Sequence, residues 1–505
     1  MLPFPAATES KKSGLAYWAA RVLDECDKAA VNFAADPVHD LRVAIRRCRS
    51  MADGFHSVDP DPAWKQMKRL AKPLFSALGD LRDTQVMLEW VAKLSPADDA
   101  LGAELSAALR AKEDALKKAA QQALANFDRD RWSTLMAHLA ARTGAVPVEG
   151  AVFQHLALER WLEARELHRR ALRNRSSLAW HQLRIGIKRL RYTAENFLPQ
   201  RHQKWSKDLR ELQDALGEVH DLDVLRAIVS RHPGAPADER SHWLKRIAEE
   251  RHKRLQLYRS KMTGRHSLWE LWRNELPSGI ALEDAALEKL RTWAAFLDPD
   301  VTHSALVNRL SLELYDGLSQ CGILKLTPHH RHILEAAAWL HEVGRSKSGH
   351  KQEKNHRKRG QRLVIKLKPP LGWTEQDMQS LAALVRFHRG RLPSRGDSLF
   401  VGLDRRQRAD LLRLMGILRL ANSFDDAHDG RLRELAVTRK DGAVVVRGQG
   451  LQAMSGAAER VACARYLLET ACGRPILIQI QRARTARKER SDPAVQTGRS
   501  RLLNR

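Results

Sequence analysis

A basic helical motif that occurs twice constrains this chain more than any other feature. Residues 38–49 read V-H-D-L-R-V-A-I-R-R-C-R, and residues 180–191 read W-H-Q-L-R-I-G-I-K-R-L-R. At about 100° per residue, His39, Arg42, Arg46 and Arg49 fall within one arc of a helix. Leu41, Ala44, Ile45 and Cys48 fall on the opposite side. His181, Arg184, Lys188 and Arg191 repeat the first face, and Leu183, Gly186, Ile187 and Leu190 repeat the second. Each helix can bury its apolar stripe and project a ladder of cations headed by a histidine. Such a ladder suits a ligand that carries negative charges along its length.

The repetition extends further. A-L-G-D-L-R-D-T-Q-V at 77–86 matches A-L-G-E-V-H-D-L-D-V at 215–224, with Asp83 and Asp221 equivalent. Two ordered segments in each copy, at nearly constant separation, are what duplication of a helical unit leaves. Each copy should form a helical hairpin or bundle, and the two should pack as a pseudo-symmetric pair. Asp83 and Asp221 are expected to pair with arginines and orient them.

The chain carries 87 Lys+Arg against 60 Asp+Glu over its 505 residues, a formal charge of +27. A field of that sign attracts polyanions, whether nucleic acid, an anionic membrane surface or inorganic polyphosphate. Arginine dominates the motif faces, and its planar fork takes phosphate oxygens two at a time. Few aromatic residues interleave with these cations, which disfavours base stacking on single-stranded nucleic acid. The five cysteines are scattered, with no C-x-x-C pair, as in proteins of a reducing compartment. No signal peptide and no long apolar run appears, so a cytoplasmic protein without a membrane span is expected.

Amphipathic periodicity predicts helices over 14–34, 37–56, 62–94, 99–126, 130–142, 150–174, 178–197, 203–231 and 239–262. Residues 271–299 read as a connector with its own helix around 282–297. Further helices are expected near 300–320, 328–344, 352–368, 374–390 and 405–424. Then L-R-E-L-A-V-T-R-K-D-G-A-V-V-V-R gives a hairpin signal with Asp441-Gly442 at its turn, and 475–481 reads as a strand. A helix at 454–471 would pack on that small sheet. Residues 482–505 form a basic tail with almost no apolar content, for which disorder is expected. The fold class is therefore mainly α: a duplicated helical bundle, then a second helical domain with a small C-terminal α+β portion.

The paired H-x-L-R-x-x-I-[RK]-R-x-R motifs, each followed by A-L-G-x-x-x-D-x-x-V, resemble the conserved histidine α-helical domain, CHAD. The likeness covers residues 1–270, with pseudo-repeats at about 10–140 and 145–265. It implies a two-halved bundle around a basic groove that binds inorganic polyphosphate, and an association with polyphosphate granules. Carried over by position, the phosphate-binding candidates are His39, Arg42, Arg46, Arg49, His181, Arg184, Lys188 and Arg191, followed by Lys72 and Arg210.

Residues 300–481 resemble the C-terminal HD-like domain of the Ppx/GppA exopolyphosphatase family. The likeness is carried by V-T-H-S at 301–304, A-A-A-W-L-H-E-V-G-R at 336–345, L-V-R-F-H-R-G at 384–390 and I-L-R-L-A-N-S-F-D-D-A-H at 417–428. An active HD hydrolase needs histidines and aspartates to hold divalent metals. Here His303 and His341 are weak candidate ligands, Glu342 replaces the partner aspartate, and Asn422 replaces the distal one. His350, His356 and His388 add imidazoles, with Asp425, Asp426 and His428 nearby. These departures imply no cofactor and no catalytic residues. Arg386, His388, Arg389 and Arg391, with Lys354, Arg357, Lys358 and Arg359, could form a second phosphate-binding surface.

The expected function is non-catalytic binding of inorganic polyphosphate. The alternatives are a metal-dependent HD-type phosphohydrolase and a nucleic-acid-binding protein.

Overall fold

The computed structural model describes residues 14–233, 235–345, 355–394, 396–450 and 455–481. The basic tail at 482–505, His350 and Lys354 lie outside them. The chain divides into two compact units. The first runs to Pro299 and also takes Ile365–Met378; the second takes Asp300–Gly344, Lys354–Val364 and the chain from Gln379.

In the first unit, α1 (Leu15–Asn32), α2 (Ala35–Phe55), α3 (Ala63–Leu70), α4 (Lys72–Leu94), α5 (Ala100–Ala125) and α6 (Arg129–Thr143) form one half. The other half comprises α7 (Ala151–Asn174), α8 (Ser177–Phe197), α9 (Pro199–Arg231), α10 (Ala237–Met262), α11 (Leu268–Asn274) and α12 (Ile280–Leu297). The packing repeats with the sequence. α1 packs on α2 as α7 does on α8, α2 on α4 as α8 on α9, and α4 on α5 as α9 on α10. The halves meet where α2 crosses α8 and α4 crosses α9.

Periodicity predicts one helix over 62–94, but the chain breaks it at Ala71 into α3 and α4. Pro73 has no N–H to give to a preceding carbonyl, so a continuous helix would lose a bond there. The matching stretch of α9 has no proline after its first residue and runs unbroken for 33 residues. Where the sequence reads a connector, α12 instead lies against α7. Leu282 and Phe296 pack on the core of this unit, and Lys289 pairs with Glu159 at 3.0 Å.

Two separate apolar clusters hold the first unit. The larger contains the buried stripes of α2 and α8, including Leu41, Ile45, Cys48, Leu183, Ile187 and Leu190. The smaller joins the distal parts of α4, α5, α9 and α10 through Trp90, Leu105, Leu225 and Trp243. Between Leu81 and Met87 on α4, and between Val219 and Leu222 on α9, the chain passes from one cluster to the other. Asp83 and Asp221 stand at those crossings.

The second unit is built on α13 (Val301–Gln320), α14 (Pro328–Leu340), α15 (His356–Ile365), α16 (Glu375–Phe387), α17 (Arg405–Phe424) and α18 (Ser455–Cys472). α13, α14 and α18 all pack on α17. The strands β1 (Glu434–Lys440), β2 (Ala443–Gln449) and β3 (Ile476–Gln481) form a sheet in that order. β1 and β2 pair antiparallel across Asp441-Gly442, both at positive φ as a type I′ hairpin requires. β3 returns parallel to β2 after α18, as a crossover helix allows.

Gly344 follows the His341-Glu342 pair and lets the start of α15 lie against that turn. A Cβ at 344 would fall 1.9 Å from the His356 carbonyl oxygen and 2.6 Å from the Gly360 nitrogen. Both are backbone atoms and cannot rotate away. Gly344→Ala should therefore destabilise the second unit by ~3 kcal/mol. Calorimetry would show this as a lowered transition, and an unchanged thermogram would contradict the packing.

Candidate functional site

The motif helices expose the face that the sequence assigns to them. Leu41, Ala44, Ile45 and Cys48 are fully buried, while Arg42, Arg46 and Arg49 are half-buried and His39 is exposed. On α8, Leu183, Gly186, Ile187 and Leu190 are buried, and His181, Arg184, Lys188 and Arg191 are half-buried. Burying both apolar stripes brings the two ladders into one field.

Each arginine is seated from behind. Arg42 lies against Gly79 of α4, where an added Cβ would be 3.6 Å from its Nη2, and its Nη1 donates to Asp83 Oδ1 at 3.3 Å. Arg184 faces Gly217 of α9 in the same way, with Nε 3.9 Å from the position of a Cβ. The two mid-helix glycines of the A-L-G-x-x-x-D segments thus border the arginines of the other motif, at distances where a methyl group would still make ordinary contact. Phe75 carries Arg42 and Arg49 on its ring, at 5.9 and 4.9 Å, and Arg49 Nη1 donates to the Lys68 carbonyl at 2.8 Å. Tyr192 serves Arg46 and Arg191 at 5.5 and 5.9 Å. The Nε–H groups of Arg42, Arg46 and Arg184 are buried and find no acceptor among the described residues.

The field of this cluster is visible in its weaker acids and bases. Lys188 is pushed down to about 7, first by burial and then by Arg184 of its own helix and Arg46 and Arg42 of α2; only Asp221 opposes this. Asp221 is itself pushed up to about 6 by burial and by Asp83, although Arg184 and Lys188 pull it down. Burial, then Arg46 and Arg82, lowers His39; burial, then Arg184 and Lys188, lowers His181. Positive charge across the crossing of α2 and α8 exceeds what the neighbouring carboxylates neutralise.

The remaining candidates divide. Arg191 lies 3.8 Å from Glu195, so part of its charge is already paired. Lys72 and Arg210 stand exposed on α4 and α9. Beyond the ladder, Arg46 and Arg49 line a cavity of about 180 Å³ with Arg160, Arg189, Ser50 and Tyr192.

Sequence reasoning passed over Phe75, Tyr192 and His220. His220 Nδ1 lies 3.1 Å from His181 Nδ1, so one ring donates to the other, and burial followed by Arg184 pushes His220 down to about 4. Aligning the two A-L-G segments would have singled it out, because the equivalent position in the first copy is Arg82. Asp83 does orient an arginine, as its position suggested.

In the second unit, His303 of α13, His341 and Glu342 after α14, His356 of α15, His388 after α16 and Asn422 of α17 are all buried. His303 Nδ1 meets Asp425 Oδ2 at 2.7 Å, and its Nε2 lies 3.1 Å from Asn422 Oδ1. His428 stacks on His303 with centroids 3.8 Å apart and contacts Asp300 Oδ2 at 2.7 Å through Nδ1. Asp426 is drawn away to Arg460 at 2.7 Å. Burial lowers both His341 and His388, which keeps them neutral.

The basic surface expected around His388 takes a different form. His388 is fully buried, Arg357 donates to the Arg389 carbonyl, and Arg391 pairs with Asp397. Gly390, at φ 76°, leaves the space that the Arg357 guanidinium occupies. These groups hold the turn after α16. Buried Arg419 completes it by donating to the carbonyls of Phe387 and Gly390, each at 2.7 Å.

The Lys188 environment gives a direct test. A lysine free in the unfolded chain keeps its proton to about 10.4, whereas folded Lys188 loses it near 7. Its contribution to stability should therefore rise with pH from about 7 and level off near 10. NMR of ¹³C-methylated lysines should show one resonance titrating near neutrality, and Arg46→Gln should move that midpoint upward. A Lys188 midpoint near 10 would refute the crowding of charge.

Residues 16–230 match the family model of the CHAD domain, and residues 288–443 match that of Ppx/GppA phosphatase, domain III. Among solved structures, the chain is similar to the crystal structure of the CHAD domain from the plant Ricinus communis. That match has 25% identity over 49% of this chain and 88% of the other, with a TM-score of 0.39. Comparison with curated proteins gives no match. No helix among the described residues is long and apolar enough to cross a membrane. The chain thus joins a CHAD domain to a Ppx/GppA phosphatase domain III.

Proposed function

We propose that the first unit binds inorganic polyphosphate along the joint face of α2 and α8, without catalysing its turnover. The observation that carries this reading is the convergence of Arg42, Arg46, Arg184 and Lys188 across the two halves. Burial first, and then the charges of Arg184, Arg46 and Arg42, bring Lys188 down to about 7. A linear phosphate polymer offers closely spaced oxygens to several such cations at once and releases condensed counterions on binding. The guanidinium groups of half-buried Arg42, Arg46 and Arg184 supply planar pairs of donors of the kind phosphate oxygens take. His39, His181, Arg49 and Arg191 extend the face, and exposed Lys72 and Arg210 guide the polymer in. In a cell, such a face would locate the protein where polyphosphate collects, including granules.

Nucleic acid is the competing polyanion. Phe75 and Tyr192 already carry arginines on their rings, and Tyr192 is buried, so neither offers a free platform for a base.

Calorimetric titration with long-chain polyphosphate should give a log–log salt slope of about −3 if four cations are neutralised, at about −0.7 per contact. Paired charge reversal, Arg42→Glu with Arg184→Glu, should abolish binding at moderate salt. Lys72→Glu with Arg210→Glu, both on the surface, should weaken it about tenfold at two contacts of ~0.7 kcal/mol each. Bound phosphate should also restore the Lys188 proton. At pH 8, then, the apparent enthalpy should depend on the ionisation enthalpy of the buffer, and Lys188→Met should remove that dependence. Undiminished affinity in the Arg42/Arg184 variant, or efficient displacement of polyphosphate by RNA at physiological salt, would overturn the reading.

A further inference from the structure

The cavity beside the cation ladder differs in shape and in charge balance from the face it adjoins. Arg46, Arg49 and Ser50 of α2, Arg160 of α7, and Arg189 and Tyr192 of α8 line it, and its volume is about 180 Å³. That is below the ~300–1,000 Å³ of pockets that take drug-sized ligands, and it suits a small anion. Arg46 and Arg49 also belong to the ladder, whereas Arg160 and Arg189 do not.

One side of this cavity is core. Gly54 and Leu156 line it and are buried. Behind Gly54 the Phe197 ring sits so close that a Cβ at 54 would fall 2.2 Å from its Cε2. Phe197 in turn stacks on Phe153, with ring centroids 4.1 Å apart. A polymer cannot leave through that wall, so a chain that enters from the ladder ends there.

The charges are unequal too. Glu163 lies between Arg160, at 3.0 Å, and Arg189, at 2.5 Å, so one carboxylate serves two guanidiniums. Asp53, the acidic residue that lines the cavity, is taken by Lys68. Four arginines against Glu163 and Asp53 leave two positive charges, before Lys68 is counted. The Arg46 side chain enters no ion pair or hydrogen bond among the described residues and rests on the Tyr192 ring at 5.5 Å. Ser50 Oγ accepts from Asn196 at 3.1 Å and keeps its own O–H to give.

Phosphates inside a polymer and at its end differ in the property that this surplus reads. An internal group has two free oxygens and a single negative charge. A terminal group has three free oxygens and ionises a second time, with a pKa of about 6 in a phosphomonoester. The extra charge and the extra oxygen both favour the paired donors of arginine.

We propose that this cavity is an end-binding subsite, which takes the doubly ionised terminal phosphate of a polyphosphate chain whose interior lies on the α2–α8 face. The proposal rests on the polyphosphate reading of that face and adds to it a preference for chain ends. Arg46 and Arg49 are shared, so the chain passes from ladder to cavity without a gap. Arg160 and Arg189 face the second charge, which an internal phosphate lacks.

The test uses the full-length protein and a monodisperse polyphosphate of medium length. The polymer is titrated uncapped, and again with each terminal phosphate capped as a singly ionised phosphoramidate. At pH 8 the uncapped polymer should bind about tenfold more tightly, as one added charge-assisted contact gives. Lowering the pH to about 5 should narrow that ratio, because the terminal group then regains its second proton. Arg160→Gln with Arg189→Gln should bring the ratio close to one. A general loss of positive charge would instead weaken both polymers in parallel and leave the ratio unchanged. Circular dichroism would establish that the variant is folded; if it is not, the wild-type ratio decides. Equal affinity of the wild type for capped and uncapped polymer would overturn end recognition and leave the face intact, whereas binding of neither would overturn both. Orthophosphate matched to the concentration of chain ends should leave the uncapped polymer bound. Displacement at that concentration would assign the cavity to the free ion and sink the proposal.

Discussion

The first unit depends on the crossing of α2 over α8. Each helix has one face that must leave water, and the crossing joins both apolar faces in a single cluster with Phe153, Phe197 and Trp180. Because the cations lie opposite those stripes, satisfying the core fixes the ladders in one place. The repulsion that results is a by-product of hydrophobic burial, which is large and non-directional, opposed by charges held only partly out of water. Arg47 of α2 reinforces the crossing by reaching Glu195 and Asn196 of α8. The structure therefore spends one arginine of the motif on cohesion and leaves its neighbours Arg42 and Arg46 for the face.

What could be read from the sequence followed periodicity and repetition. The helices of the first unit, the hairpin at Asp441-Gly442 and the opposed faces of both motifs all follow from local patterns that a single segment contains. Other features depended on contacts between segments. The amphipathic pattern runs through the break at Ala71, because a proline one position inside a helix start leaves periodicity untouched. α12 looked like a connector because its short apolar stripe gains meaning only when Leu282 and Phe296 find α7 and the core beside it. The contact of Arg42 with Gly79 and of Arg184 with Gly217 was equally hidden, because only the folded chain places those helices side by side.

In the second unit, letter-by-letter comparison with an HD pattern picked out His303, His341, Glu342 and Asn422 one position at a time, without the groups that support them. The buried side chains that share this volume come from α13, α15 and α17 and from the turns after α14 and α16. Arg419, Arg357 and Gly344 have no metal-binding chemistry, yet they fix the turn carrying His388 and the approach of His356. Sequence spacing cannot reveal such support, since the groups lie tens of residues apart and act through backbone carbonyls.

On α2 and α8, positive charge exceeds what the neighbouring carboxylates neutralise. A folded protein tolerates such imbalance when the surrounding core more than offsets its cost, and each imbalance lowers the free energy of the guest that removes it. On the proposed reading, that guest is an anionic polymer. The cationic face is half-exposed and can trade one stretch of polymer for another through fast, salt-sensitive contacts.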